Sequence, residues 1–338
     1  MSSVGRHSAL SGCVRPRLTK LAAIGRAIAL STGLLSAQAA TANGDFPTRP
    51  VRILVPFSAG TGIDALARAL AEALEPSLHQ RPAVINREGA SGMLAFSEAL
   101  TAEPDGHTLV FSGPTQLTVQ PLARRELPFR PEAVMAVCQV FEGSFVLAVG
   151  ERSRIGTFAD LLTEVRANPG KLKFGHQGVA TATHIQLLWL ERETGIDLIE
   201  IPYRAHGQLL ADLASGALDG AILAAGAFDP ALARPLVTFA PERHGQMPEV
   251  PALPELGYPA PPSLAFGGLY LARDTPEPAV RAVEQACADA FSRGIFQATI
   301  QTLGLKASFL GSRAFARRLE AETDRMRELV PALGLRAE

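Results

Sequence analysis

The sequence predicts an α/β protein of two units, each built on a mostly parallel sheet with crossover helices. Three observations carry that expectation. From Phe46 onward, short apolar β-rich runs alternate with helical patterns. Of the 338 residues, 47% are hydrophobic and 19% charged, with 30 glycines and 25 prolines spread along the chain, which fits a turn-rich globular protein rather than a disordered one. A chain of this length buries a large core and exceeds a usual single domain.

The N-terminus reads as an export signal spanning residues 1–42. Arg6, Arg15, Arg17, Lys20 and Arg26 precede "AIALSTGLLSAQAATA", and no acid occurs before Arg26. Cleavage after Ala39 or Ala42 fits the Ala-x-Ala pattern. The apolar run, about 14 residues, falls short of the roughly 20 needed to span a bilayer. A buried core helix is the alternative, and the one-sided basic flank argues against it. Removing the leader removes Cys13 and leaves Cys138 and Cys287. These two could pair in an oxidising compartment, but they lie far apart in strand-like and helix-like segments, so two buried thiols are the expectation. No His/Cys cluster shows metal-ligand spacing, and no metal is expected. The net charge of −1 gives no reason to expect nucleic acid as a partner.

"VRILVPF" is a strand, and "DALARALAEALEPSL" is a helix whose Leu66, Leu70, Ala73 and Leu74 share one face. "AVIN", "GMLAFSEALTAE" and "HTLVFSG" continue the alternation. "SFVLAVG" opens a second series, followed by a helix with Thr157 at its N-cap, the strands "LKFG" and "DLIEIPY", and the helices "HIQLLWLERETG" and "GQLLADLASGAL". The proline-rich "MPEVPALPELGYPAPPS" should run over the surface without helix. "FGGLYLA" returns as a strand, and amphipathic helices close the chain.

Chemistry concentrates in loops after strands. Gly60-Thr61-Gly62-Ile63-Asp64-Ala65 fits G-x-G-x-x-A between a strand and a helix, which makes an NAD-dependent oxidoreductase the alternative function. Asp64 in the first helical turn would repel a pyrophosphate and is better explained as a helix N-terminal acid. The same loop offers free amides beside the Ser58 and Thr61 hydroxyls, which suits a carboxylate, although a tight turn alone would also need the glycines. Further loops follow strands at Ser112 to Thr115, Gly175 to His184 and Tyr203 to Gln208. Two such sets, one per unit, would face each other across a cleft. Ser112 and His184 could be nominated for hydrolysis, yet there is no G-x-S-x-G elbow, and a helix-turn-helix for an effector-sensing regulator is also missing.

In order, "PTRPVRILVPFSAGTGIDALAR", "INREGASGMLA", "AEPDGHTLVFSG", "ANPGKLKFGHQG", "IPYRAHGQLLADLASGALDGAI", "MPEVPALPELGYP" and "FGGLYLARDTPEPAV" resemble the successive signatures of Bug-type solute-binding receptors of tripartite tricarboxylate transporters. The resemblance runs from about Phe46 to the C-terminus. It implies a type II periplasmic-binding-protein-like α/β fold, with two lobes joined by two crossover strands, "FVLAVG" and "FGGLYLA". Lobe 1 would comprise 45–146 plus 269–338 and lobe 2 147–268, with the ligand cleft between. It further implies a monomeric periplasmic receptor without cofactor or enzymatic activity, which passes a small carboxylate solute to a membrane permease.

The motif positions matched are Pro56, Phe57, Ala59, Gly60 and Asp64 in the first lobe, and Gly175, Gly178, His184, Tyr203, Asp212, Gly216 and Asp219 in the second. Thr61, Ile63, Glu88, Ala205 and His206 depart from the family pattern, as does "GAILAAGAFD" after Asp219. The expected ligand-binding set places one carboxylate on the amides of Ser58, Ala59, Gly60, Thr61 and Gly62, with Phe57 as a wall and Asp64 beside them. Ser112, Thr115, Gln177 and Gly178 belong to the facing loops, and Thr181, Thr183, Arg204 or His206 would meet a distal polar group. His184 reads equally as pocket or scaffold.

Overall fold

The computed structural model describes residues 46–335, so the expected leader lies outside the described residues. The chain begins with β1 (Arg52–Val55), α1 (Gly62–Leu78), β2 (Ala83–Asn86), α2 (Met93–Thr101), β3 (Thr108–Ser112), the short α3 (Thr115–Thr118) and α4 (Gln120–Ala123), and β4 (Val134–Glu142). A second series follows: β5 (Phe145–Gly150), α5 (Phe158–Ala167), β6 (Lys173–His176), α6 (Ala182–Thr194), β7 (Ile199–Pro202), α7 (His206–Ser215), β8 (Gly220–Ala224) and β9 (Ala233–Phe239). The chain closes with β10 (Phe266–Ala272), α8 (Glu277–Phe291), α9 (Gly294–Thr302), β11 (Lys306–Gly311) and α10 (Ser312–Ala332).

Two sheets result, ordered β11-β4-β10-β3-β1-β2 and β7-β6-β8-β5-β9. Both are mixed rather than mostly parallel. β1, β2 and β3 run parallel, as do β6, β7 and β8, because a helix crosses over between successive strands. The strands that carry the chain between sheets, β4, β5, β9 and β10, pair antiparallel. β5 and β10 each hydrogen-bond within one sheet only, so the passages fall at Gly143–Ser144 and in the segment before Phe266.

α1 starts where Thr61 accepts the Asp64 amide, and its buried Leu66, Leu70, Leu74 and Leu78 recur every fourth residue. That face packs with α8 and α9 on one side of the first sheet. Phe96 of α2, Tyr270 of β10 and Phe315 of α10 fill the other side. On the second sheet, Phe158, Leu161, Ile185 and Leu190 of α5 and α6 cover one face, and Leu209 and Leu213 of α7 the other. Met326 and Val330 near the end of α10 join the second cluster, so this helix packs with both.

Three further expectations are corrected. Cys138 and Cys287 form a disulfide, because α8 packs on β4 and brings their Cα atoms to 6.6 Å despite 149 residues between them. The C-terminal region holds a strand as well as helices: β11 adds to the edge of β4 across an irregular register, and its short "KASFLG" has no clean alternation to announce it. The proline-rich stretch makes a one-turn 3-10 helix at Leu253–Leu256, where Pro254 sits at a position needing no N–H and Leu253 is buried.

Closing so long a loop should make the disulfide a large stabilising element. The double variant Cys138→Ala/Cys287→Ala should lose about 2–5 kcal/mol in urea unfolding while its far-UV circular dichroism stays native. An unchanged midpoint would show the bond to be dispensable.

Candidate functional site

The opening amides of α1 and α6 carry the site's geometry. β1 ends at Val55 and the loop Pro56–Thr61 turns into α1; β6 ends at His176 and Gln177–Thr181 turns into α6. The first-turn amides of any helix have no intrahelical acceptor and concentrate positive potential. Thr61, Gly62 and Ile63 of the first sheet's side and Thr181, Ala182 and Thr183 of the second line one cavity of about 140 Å³ between the sheets. A larger outer cavity of about 790 Å³ continues it toward solvent. Phe57, Thr61, Gln177, Thr181 and His206 line both and so form the throat.

Apart from the Asp64 amide, which Thr61 caps, the loops are held by groups other than the opening amides of α1 and α6. In the first loop, Asp64 is 3% exposed and accepts from the Gly60 amide at 2.9 Å, from Arg68 at 2.9 and 3.0 Å and from Asn86 at 2.9 Å. Asn86 also donates to the Phe57 carbonyl. Burial alone would raise the Asp64 carboxyl, but bonds from Arg68, Gly60 and Asn86 outweigh it and hold it below its ordinary value. The Gly60 amide is thereby used inside the loop, and Ala59 and Gly60 face solvent. The negative charge occupies the place a dinucleotide pyrophosphate would need, so the Gly60-x-Gly62 loop does not serve an NAD-dependent oxidoreductase.

The second loop is held by imidazoles. His176 Nδ1 donates to the Gly178 carbonyl at 3.0 Å, and the Ala180 amide donates to His184 Nδ1 at 3.0 Å. His184 Nδ1 therefore carries the lone pair, and its Nε2 donates to Glu200 on β7. That bond is the chief reason the Glu200 carboxyl lies below its ordinary range. Burial pushes His176 down to about 4, and the stacked His184 ring 4.3 Å away adds to the shift. Ligand atoms of His176, His184 and Glu200 lie within 4.8 Å of one another. A metal on His184 Nε2 would require a proton on Nδ1, pointing at the Ala180 N–H, and near-parallel rings do not converge on one ion. The cluster is a scaffold for the loop.

The remaining expected residues divide. Ser58, Gly178 and Arg204 line the outer cavity, with Arg204 exposed. Thr115 lines the inner one, whereas Ser112 is fully buried and donates to Gln116 at 3.1 Å behind it. The Gln177 amide donates to Thr183 Oγ1 at 2.9 Å. His206 Nδ1 accepts from Gln177 at 3.2 Å and its Nε2 donates to the Ala227 carbonyl at 2.8 Å, so both ring nitrogens are satisfied in the neutral form. Thr61 and Thr181 donate their hydroxyl protons to the Ser58 and Gly178 carbonyls. Backbone amides are left as the principal anion donors.

Sequence reasoning missed the residues that meet here from distant segments. Phe141, Phe145, Phe266, Leu303 and Leu305 line the inner cavity. Ser91 and Gln120 donate to the Val179 carbonyl at 3.0 and 3.2 Å, tying the two sides together at the mouth. Ala90, Ser91 and Ala180 there have φ of 47°, 55° and 56°, sparsely populated for residues with a Cβ. Gly226, at φ 82°, lies so close to α9 that a Cβ would come within 2.3 Å of the Leu303 carbonyl oxygen.

A family model described as the TctC tripartite tricarboxylate transporter family receptor matches residues 66–335. A protein from the tcbD-tcbE intergenic region of Pseudomonas sp. is 27% identical over 343 residues, covering 100% of this chain and 97% of its own. The fold is similar to that of the periplasmic binding protein BugD, with a TM-score of 0.80 and 21% identity over 87% of this chain and 100% of that one. MatC from Rhodopseudomonas palustris, with bound malate, is 25% identical with a TM-score of 0.76, covering 84% of this chain and 100% of MatC.

Two outcomes follow from this geometry. His176 titrates near 6.5 unfolded and about 4 folded, so its contribution is complete above pH 6.5 and is lost as pH falls toward 4. The stability advantage of the parent over His176→Gln, measured by urea unfolding, should shrink across that window by up to about 3 kcal/mol; a constant difference would refute the assignment. Gly226→Ala should hold the sides apart and enlarge the radius of gyration in solution scattering, while an unaltered scattering curve would count against that contact.

Proposed function

Because this chain belongs to the tripartite tricarboxylate transporter receptor family, we propose that it closes two lobes on a small carboxylated solute and delivers it to a membrane permease. The observation that carries the reading is the convergence of two helix N-termini, from different sheets, on one cavity. A carboxylate there accepts from the first-turn amides of Gly62 and Ile63 on one side and of Ala182 and Thr183 on the other. Four charge-assisted bonds at about 2 kcal/mol each supply about 8 kcal/mol, the scale of micromolar affinity. Neither lobe reaches that alone, so binding requires closure. The liganded form is thus distinct from the empty one, which is what a permease can read.

Sheet membership supports a first lobe built on the strands before Gly143 and after Ala265, and a second built on those between. The role is binding without chemistry: His184 is committed to Glu200 and Ala180, and Ser112 lies behind the cavity, so neither is available as a nucleophile or its base. Malate in MatC supports a carboxylate as the recognised group. The family and the basic, acid-free N-terminus support export to the periplasm.

The test is a thermal-shift series with carboxylates of varied size. At least one should stabilise the protein by about 2.7 kcal/mol at a hundred times its dissociation constant, and NAD should leave the melting temperature unchanged. Stabilisation by NAD with none from any carboxylate would overturn the reading.

A further inference from the structure

We propose that the solute is a monocarboxylate with an uncharged, ring-sized apolar body; this rests on the receptor reading above and specifies its ligand class. The throat is polar and the floor is not. Beyond the residues shared with the outer cavity, the inner cavity's large side chains are Phe141, Phe145, Phe266, Leu264, Leu303 and Leu305, while Thr115, Gln116 and Thr183, which also line it, are hydrogen-bonded within the protein. Among the described residues, no Lys, Arg, Asp or Glu lines it. His206 spends both ring nitrogens within the protein, on Gln177 and on the Ala227 carbonyl, and Arg204 and Arg124 line only the outer cavity. Arg124 is further engaged by Gln120 at 2.6 Å.

These facts separate the two ends of a solute. A first carboxylate just inside the throat meets two helix N-termini. A second carboxylate pushed to the floor would lose its water and find no cation, a penalty that excludes it. An apolar body loses nothing by desolvation there and gains contact with the phenylalanine and leucine side chains. The volume, about 140 Å³, is that of a site for one benzene-sized group. Ser144 is the floor's one polar side chain with no hydrogen-bond partner among the described residues, and its buried hydroxyl can bond one polar atom of the solute body but cannot by itself replace the hydration of a second carboxylate.

The experiment is calorimetric titration of the purified protein with benzoate, cyclohexanecarboxylate, succinate, citrate and benzyl alcohol. Benzoate or cyclohexanecarboxylate should bind at least tenfold tighter than succinate and citrate, with benzyl alcohol weaker again by at least tenfold. Leu305→Arg, which places a cation at the floor, should narrow the gap between benzoate and succinate at least fivefold if its unliganded melting remains cooperative. Succinate or citrate binding as tightly as the monocarboxylates overturns this inference and leaves the carboxylate-receptor reading standing. Benzyl alcohol matching benzoate removes the carboxylate from recognition and overturns both, as does failure of all five to bind.

Discussion

Two helix N-termini can hold an anion between them only if their first-turn amides are left unsatisfied by the protein itself, and the surrounding structure is organised around that requirement. Loops that leave such donors open must be held by other bonds. In the first loop a buried carboxylate does this, with Asp64 gathering Gly60, Arg68 and Asn86. In the second, two imidazoles and Glu200 clamp Gly178 and Ala180. Both scaffolds sit behind the loop and away from the throat, so the negative charge of each is met before a solute arrives.

Closure adds a second constraint. The donors act together only when the sheets approach, and the approach is close enough that Gly226 admits no Cβ against the Leu303 carbonyl. At the mouth, Ser91 and Gln120 reach the Val179 carbonyl from the other side. The positive φ of Ala90, Ser91 and Ala180 places backbone strain at this contact. Hydrogen bonds across the mouth offset that strain in the closed form. Under the proposed function, a solute that bridges the helices tips the same balance and so links recognition to shape.

Much of this was legible in the residues. Thr157 as a cap, the apolar face of α1, the alternation of strand and helix, and the ordered motifs that resemble solute receptors are local or sequential, and a chain displays them directly. Asp64 was readable as a helix N-terminal acid because its spacing from Thr61 is a local matter. His184 was not: its role depends on Glu200, on a different strand, and on a ring from β6 stacked against it. Ala59 and Gly60 belong to the same motif as Gly62 but face solvent, since a turn sends neighbouring amides in different directions.

The amino-acid sequence by itself determined roughly where the strands end and the helices begin, and therefore that open backbone amides would arise where the loop after β1 enters α1, because caps, glycines and apolar periodicity act over a few residues. The tertiary structure decided what those amides look out on. Phe141, Leu303 and Leu305 reach the cavity floor, Cys138 finds Cys287, and β11 pairs with β4 only through packing between segments more than a hundred residues apart. No local pattern encodes such meetings, because each depends on how two sheets and their helices settle against one another.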